Sequence, residues 1–498
     1  MFARLLEKLS TFYLIRCAIL LWMLILAIPL LAFSAAKNML EGLFALETAD
    51  ALGVTVLSFL VCWQVLVTER LVRRYGPARV RVHPPVSRDN PPLTAELGWR
   101  EFLLCGIPGF VTVLAILWFE KANRPPQAGS EHFVKFAAAV AGGILIAAVI
   151  STVIVWLQHA ANPPGTRMLG FLPSWGIFGK ALDRQPPRLL EWFSGFLDRG
   201  LAWIIVKMDA GGPGFIENGE LANGHLAAFL LLIVVLFIYG IFFIAYTFFP
   251  LNWVLAPGSA PALMYLLLLL SLLGWLASFL CFFLDRYHWP TITLLMFWAF
   301  FLPLVNPLNG HYYALTSLDP SRKGEKLTPA KLFYFPPQRV MIVSAEGGGI
   351  HSAAWTTQVL TSLAEEIGEG FAPSVRLMSG VSGGSVGLMY FNAIYNARAS
   401  NWKASLEPIR RASRGSSLSD VGFGMVYYDL SRPFLPYVRY SFKDRGWAIE
   451  RAWRRELEKL GVKSDVRLSE LRQGLREGKR PMLLFNATIG DTGKPLPR

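Results

Sequence analysis

The chain has 498 residues, of which 53% are hydrophobic and only 16% charged, with a formal net charge of +14. A soluble domain carries about 25% charged residues, so this composition, with 16 Trp and a mean hydropathy of +0.41, excludes an ordinary soluble globule and points to an integral membrane protein. The positive charge fits a nucleic-acid partner or basic loops retained on the cytoplasmic side of a membrane. No nucleic-acid-binding motif is present, so the second reading is preferred.

A membrane-spanning helix needs roughly 20 mainly apolar residues. Seven runs approach that length, at about 13–33, 49–67, 102–119, 134–157, 226–249, 261–284 and 289–306. The first has no small-residue cleavage site after it and reads as a retained span, not a signal peptide. Arg16 lies near its end, where it can snorkel to the headgroups. Pro29, Pro108 and Pro303 fall inside spans, where proline is tolerated. The cysteines Cys17, Cys62, Cys105 and Cys281 all sit in apolar runs and read as small buried hydrophobes, with no Cys-x-x-Cys.

The loop 68–101 holds Arg70, Arg73, Arg74, Arg79, Arg81, Arg88 and Arg100, while the preceding loop holds Glu41, Glu47 and Asp50 against Lys37. The arginine-rich loop is therefore expected in the cytoplasm, with the N-terminus on the same side. Seven spans put the C-terminal domain outside, whereas Arg322, Lys323, Lys326 and Lys331 after the last span favour the cytoplasm. The cytoplasmic side of a bacterial-type inner membrane is preferred. In the loop 158–225, Leu189, Trp192, Phe193, Phe196 and Leu197 share one helical face, with Glu191, Asp198 and Arg199 elsewhere. That pattern fits a helix lying in the membrane interface or one packed on the other spans. Trp289, Tyr312 and Tyr313 near span ends read as interface anchors.

From about residue 310 the long apolar runs stop. Short apolar strand candidates at 339–345, 375–379 and 481–487 alternate with helix candidates at 352–367, 385–397, 403–412 and 445–460. Alternating strands and helices predict an α/β domain with a mainly parallel central sheet over 310–498, following a multi-span helical region over 1–309. The basic segment Trp447–Leu460, with Arg451, Arg454, Arg455 and Lys459 beside Trp453 and Leu457, reads either as a contact for anionic headgroups or, preferred, as a solvated helix face with a core-facing stripe.

The chemistry gathers in two strand-to-helix turns. The first run ends in Gly347, Gly348 and Gly349; the second in Gly380-Val381-Ser382-Gly383-Gly384, a G-x-S-x-G. Small neighbours let such a serine occupy a sharp turn with its hydroxyl exposed, and the N–H of Gly383 is placed to help hold an oxyanion. The triple glycine reads as an oxyanion hole, as a phosphate cradle or as a tight packing turn. No Gly-Lys-Ser/Thr follows, which disfavours phosphate. A serine needs a base. None of the seven histidines follows Ser382, which excludes the usual α/β-hydrolase order. His351 adjoins the glycines, as a base or, preferred, as a helix-start residue. A Ser–Asp pair is the alternative. No cofactor or metal site is evident.

The pair Gly347-Gly348-Gly349-Ile350-His351 and Gly380-Val381-Ser382-Gly383-Gly384 resembles the patatin-like phospholipases, as do Asp444-Arg445-Gly446-Trp447 and Leu484-Phe485-Asn486-Ala487-Thr488. The resemblance covers roughly 335–498. It implies a lipid acyl hydrolase with Ser382 as nucleophile of a Ser–Asp dyad, an oxyanion hole from Gly347, Gly348, Gly349 and Gly383, and a membrane phospholipid or other lipid ester as substrate at the bilayer. Two departures stand out. His351 and Ser352 replace the family's usual basic residue and glycine, and the chain has no Asp-Gly, where the family's aspartate lies. The aspartates after Ser382 are Asp420, Asp429, Asp444, Asp465 and Asp491. Asp444 reads as a helix cap and Asp491 as a hairpin turn. The dyad aspartate is thus expected beyond Arg498. The alternative is a non-catalytic lipid-binding or scaffold protein with a degenerate patatin-like domain. A transporter is disfavoured because the spans carry few ionisable groups.

Overall fold

The computed structural model describes residues 15–33, 42–44, 46–80, 99–123, 130–161, 188–207, 215–217, 220–222, 224–248, 260–284, 290–305, 340–395, 401–430, 443–465 and 480–487. Lys37, Glu41, Arg81, Arg88, Trp289, Tyr312, Tyr313, Arg322, Lys323, Lys326, Lys331 and Asp491 lie outside them. So do the side chains of Arg73, Arg74, Arg79 and Arg100. The chain divides into two compact units, Met1–Gly310 with Val421–Arg445, and His311–Asp420 with Gly446–Arg498.

The first unit contains α1 (Arg16–Ala32), α2 (Thr48–Val80), α3 (Trp99–Asn123), α4 (Ser130–Ala161), α5 (Arg188–Lys207), a hairpin of β1 (Ile216–Glu217) and β2 (Glu220–Leu221), α6 (His225–Phe248), α7 (Ala262–Leu284) and α8 (Thr291–Val305). Five of these helices, α2, α3, α4, α6 and α7, are long and apolar enough to cross a membrane. The seven expected spans thus include two shorter helices. The described α1 has 17 residues and α8 has 15, below the roughly 20 a crossing needs.

Helix α2 is the core of this unit and packs against α3, α4, α6 and α7. Its apolar residues are buried almost all round, including Val54, Leu57, Leu60, Val61 and Leu66. A helix buried on every side cannot leave polar groups unpaired without a cost of a few kcal/mol, roughly 2–7 by transfer measures. Thr55 and Ser58 accordingly donate to the carbonyls of Ala51 and Val54 at 2.7 and 2.8 Å. Gln64 and Ser271 bond each other reciprocally across α2 and α7, at 2.9 and 2.6 Å. Small residues set the closest helix approach: a Cβ on Gly143 of α4 would lie 2.8 Å from the Leu52 carbonyl oxygen.

Helix α5 has features of both readings of its amphipathic pattern, since it packs against α4 while much of its apolar face stays uncovered. Its aromatic face is turned outward, with Leu189 78%, Trp192 66% and Trp203 62% exposed. Its inward face carries Ser194, Asp198 and Ala202, all buried. Asp198 accepts the Leu221 N–H at 3.3 Å and so anchors the hairpin. Ile205, with Leu197 and Leu201 partly buried, completes the inward side, and a helix that offers tryptophans outward suits the edge of a bilayer.

The segment Val421–Arg445 also belongs to the first unit. Here α12 (Leu418–Gly424) runs into a π-helical turn, Met425–Asp429. Tyr427 stacks on Tyr239 of α6 with ring centroids 4.3 Å apart, and its hydroxyl donates to the Tyr239 carbonyl at 2.7 Å. Asp429 pairs with Arg445 at 3.1 Å.

The second unit holds β3 (Met341–Ala345), α9 (Gly349–Ile367), β4 (Val375–Val381), α10 (Gly383–Ile394), α11 (Leu406–Ser413), α13 (Arg445–Glu458, its first residue in the other unit) and β5 (Met482–Asn486). The strands form a parallel sheet in the order β3-β4-β5, with Ala345 opposite Gly380 and Val381 opposite Asn486. Its core joins Met378 of β4, Leu360 and Ala364 of α9, and Leu388 and Phe391 of α10. The small parallel sheet expected from the apolar runs is present. The basic helix α13 has a core-facing stripe, with Leu457 buried and Trp453 packed beside it, but one of its cations belongs to that side: Arg455 is buried and forks onto the buried Asp420 at 2.9 and 2.7 Å. Arg451 lies over the Trp447 ring at 5.3 Å, and Lys459 bonds Glu456 at 2.8 Å.

Candidate active site

In a parallel sheet the strands deliver their next residues to one edge, their carboxyl ends. That edge carries Gly347–Gly349 after β3, Ser382 after β4 and Asn486 closing β5. Val375–Val381 is apolar and forms the central strand; Gly383-Gly384-Ser385 starts α10. Ser382 must therefore reverse the chain in one residue. It does so with φ 51° and ψ −124°, the one positive φ outside glycine among the described residues. Backbone in this region costs an ordinary residue about 1–3 kcal/mol and is held only where the surroundings over-determine it.

The surroundings are the two glycine turns themselves. A Cβ on Gly383 would fall on the Gly349 carbonyl oxygen, and one on Gly384 would lie 2.5 Å from the Glu346 carbonyl oxygen. A Cβ on Gly347 would sit 3.3 Å from the Ser382 Cβ and 3.9 Å from its Oγ. The glycines thus let the first residues of α9 and α10 pack backbone to backbone, with the serine against the loop. Gly348 and Gly349 take φ 152° and 59°, open to glycine alone at no cost. Both helix N-termini meet beside Ser382, where their unpaired N–H groups and dipoles favour negative charge. Ser352 donates to the Glu346 carbonyl and closes the loop. From the other side, Asn486 donates to the Ser379 hydroxyl at 2.9 Å and to the Gly380 carbonyl at 3.1 Å, tying β5 to the strand that carries the serine.

The structure brings together Ser382, Gly347, Gly348, Gly349 and Gly383, all five of the residues named from sequence. It does not pair the serine with a base: among the described residues its hydroxyl makes no hydrogen bond. His351 lies in the first turn of α9 with its side chain exposed. Asp420 is fully buried and committed to Arg455. Asp465 is exposed at the end of a described segment, and Asp444 is buried immediately before α13. Asn486 is a supporting residue that the sequence reading passed over, although it lies in the quoted Leu484–Thr488 run. A polar side chain closing an apolar strand was the available signal.

No family model matches the chain, and no curated protein or solved structure matches it.

Proposed function

We propose that the chain is a membrane-anchored lipid acyl hydrolase with Ser382 as its nucleophile. The observation that carries this reading is the strained Ser382 turn, packed against a triple-glycine loop where two helix N-termini converge. In the proposed reaction the Ser382 Oγ bonds to the acyl carbon of a lipid ester and its proton passes to a base. The carbonyl electron pair moves onto the oxygen, where the N–H groups of Gly383 and of the Gly347–Gly349 loop stabilise it. Collapse breaks the ester C–O bond; the departing alcohol takes the proton, and water releases the acyl group by the same steps. The resemblance to patatin-like phospholipases assigns the base to an aspartate downstream of β5. The apolar helices supply the substrate class: a chain held in the bilayer meets phospholipids and other lipid esters without extracting them through water.

A second reading, a non-catalytic lipid-binding or scaffold protein, rests on the missing partner: Ser382 bonds no base among the described residues, and Asp420 is occupied by Arg455. One experiment separates the two. The full-length protein, reconstituted in phospholipid vesicles, is treated with a fluorophosphonate and assayed for fatty-acid release. Stoichiometric labelling and release, both abolished by Ser382→Ala, are expected of the hydrolase. A wild-type protein that is folded yet unlabelled and inactive refutes it and supports the scaffold.

A further inference from the structure

The first unit contains a cavity of about 290 Å³ between α2, α6 and α7, unconnected with the chemistry of Ser382. Its volume is at the lower end of the roughly 300–1,000 Å³ typical of ligand sites. The wall is almost wholly apolar, and the polar side chains in it offer little to water. The Thr68 hydroxyl donates to the Gln64 carbonyl at 2.8 Å, and the His225 ring bonds the Ala222 carbonyl at 2.9 Å. Ser278 and Trp275, whose indole N–H is buried without a hydrogen-bond partner among the described residues, are the remaining polar side chains, and polar atoms make up very little of the wall. Water is stable in a cavity only where it finds two to four polar partners, so an apolar occupant is favoured.

The shape says which apolar occupant. One end is walled by Phe215 of the hairpin, His225 at the start of α6 and Phe283 near the end of α7; the other reaches Leu232 and Leu272. Along α6 this is two turns, about 10 Å at 1.5 Å per residue, and along α7 three turns, about 16 Å. Half of a hydrocarbon core about 30 Å thick is about 15 Å. The cavity therefore starts at the level where the helices meet the hairpin and penetrates about one leaflet. Phe279 of the wall is 51% exposed, so the side towards the bilayer is open.

We propose that this cavity holds one acyl chain of a phospholipid from the adjoining leaflet. Chain methylenes replace empty space against Phe229, Leu232 and Trp275, and the headgroup stays at the level of the hairpin. The site is separate from the Ser382 turn, and its occupation requires no catalysis.

The test uses the full chain in phosphatidylcholine vesicles doped with a phosphatidylcholine that carries a photoactivatable diazirine in its acyl chain, with labelled peptides read by mass spectrometry. Labelling is expected to concentrate on His225–Leu232 and Leu272–Phe283, above the lipid-facing Leu145–Val153 stretch of α4. Ala228→Trp, which fills the cavity, is expected to lower it about tenfold, the effect of expelling two or three methylenes. Ser278→Leu, a smaller fill, lowers it less, and Leu236→Trp on the outer face of α6 leaves it unchanged. If Ala228→Trp does not fold, Ser278→Leu against Leu236→Trp decides. Uniform labelling of all outward helix faces overturns the proposal. So does cavity labelling that survives the filling variants, or that is displaced by a free isoprenoid and not by excess phosphatidylcholine.

Discussion

Replacing Ser382 by glycine separates the strain of its backbone from its chemistry. At φ 51° and ψ −124° the serine sits where glycine alone is comfortable. Holding an ordinary residue there costs about 1–3 kcal/mol. Glycine avoids that strain but loses more chain entropy on folding, about 0.5–1 kcal/mol relative to alanine. The balance makes Ser382→Gly more stable than Ser382→Ala by about 1 kcal/mol. Ser382→Ala itself is nearly neutral, because the hydroxyl makes no hydrogen bond to any described residue. For a unit of about 150–250 residues, 1 kcal/mol moves the melting temperature by about 2–4 °C. The assay is thermal unfolding of the full chain in detergent, with cleavage of the second unit by protease as the local readout. Both variants are expected to lose fluorophosphonate labelling, and the glycine variant to melt higher. A glycine variant melting at or below the alanine variant refutes the claim that the turn is strained.

Four further outcomes follow from particular contacts. Asp420→Ala removes the forked partner of Arg455, 8% exposed, and leaves it the longer contact to Glu456 at 3.8 Å; it is expected to cost about 3 kcal/mol, whereas Asp420→Leu with Arg455→Met comes close to neutral in denaturant unfolding of the second unit. Tyr390→Phe removes a buried phenol oxygen that has no hydrogen-bond partner, and is expected to raise stability by about 1 kcal/mol in the same assay. Gly383→Ala drives a methyl group into the Gly349 backbone; it is expected to cost about 3 kcal/mol or more and to lose labelling of Ser382 even where the protein still folds. The fourth concerns pH. Burial pushes the Asp198 carboxyl up from 3.8 to about 6, against the opposing hydrogen bond from the Leu221 N–H. The folded state then holds this proton more tightly than the unfolded chain does, so the stabilisation is full below about pH 4 and lost as pH rises through about 6. Hydrogen exchange of the Leu221 and Ala222 amides, corrected for intrinsic rates, is expected to show easier opening at pH 7 than at pH 4, and Asp198→Asn to flatten the difference.

The three strands and the serine turn were legible in the sequence because their signals are local. A short apolar run ending in glycine states both the strand and its stop, and Gly-Val-Ser-Gly-Gly leaves few backbone paths. Contacts made at long range were not legible. Arg455 reads as one more cation on a basic helix until the fold brings Asp420, 35 positions earlier, against it. The π-helical turn Met425–Asp429 follows two glycines and has no clear period. Its aromatic spacing, Phe423 to Tyr427, was the readable trace, and its place depends on Tyr239 and Tyr265 far upstream. For α5 the amphipathic pattern was visible but its direction was not. The burial of Ser194 and Asp198, with Asp198 bonded to the hairpin, and the exposure of Trp192 and Trp203 show it.

On the proposed reaction, the strand order also bears on where a base for Ser382 would enter. β4 is the middle strand, so the serine has a neighbour on each side at the carboxyl edge. On the β3 side the space is filled by the glycine loop, whose N–H groups and helix dipole favour an anion and disfavour a proton acceptor that becomes a cation. That argues against His351, which leads α9 on the same side, and agrees with its exposed side chain. On the β5 side the described neighbour is Asn486, an amide and not an acid, which donates to Ser379 and Gly380. On the proposed reaction neither neighbour supplies the base, which is in keeping with the resemblance that assigns it to an aspartate downstream of β5. From there a carboxylate would face the oxyanion donors across the serine: it would lose its negative charge on taking the proton, while the negative charge that develops on the carbonyl oxygen would fall on the donors' side. The Asp420–Arg455 pair fits this division. The buried aspartate of the same unit is held by Arg455 where it stands, and the strained backbone of Ser382 is matched by no hydrogen bond of its own side chain among the described residues.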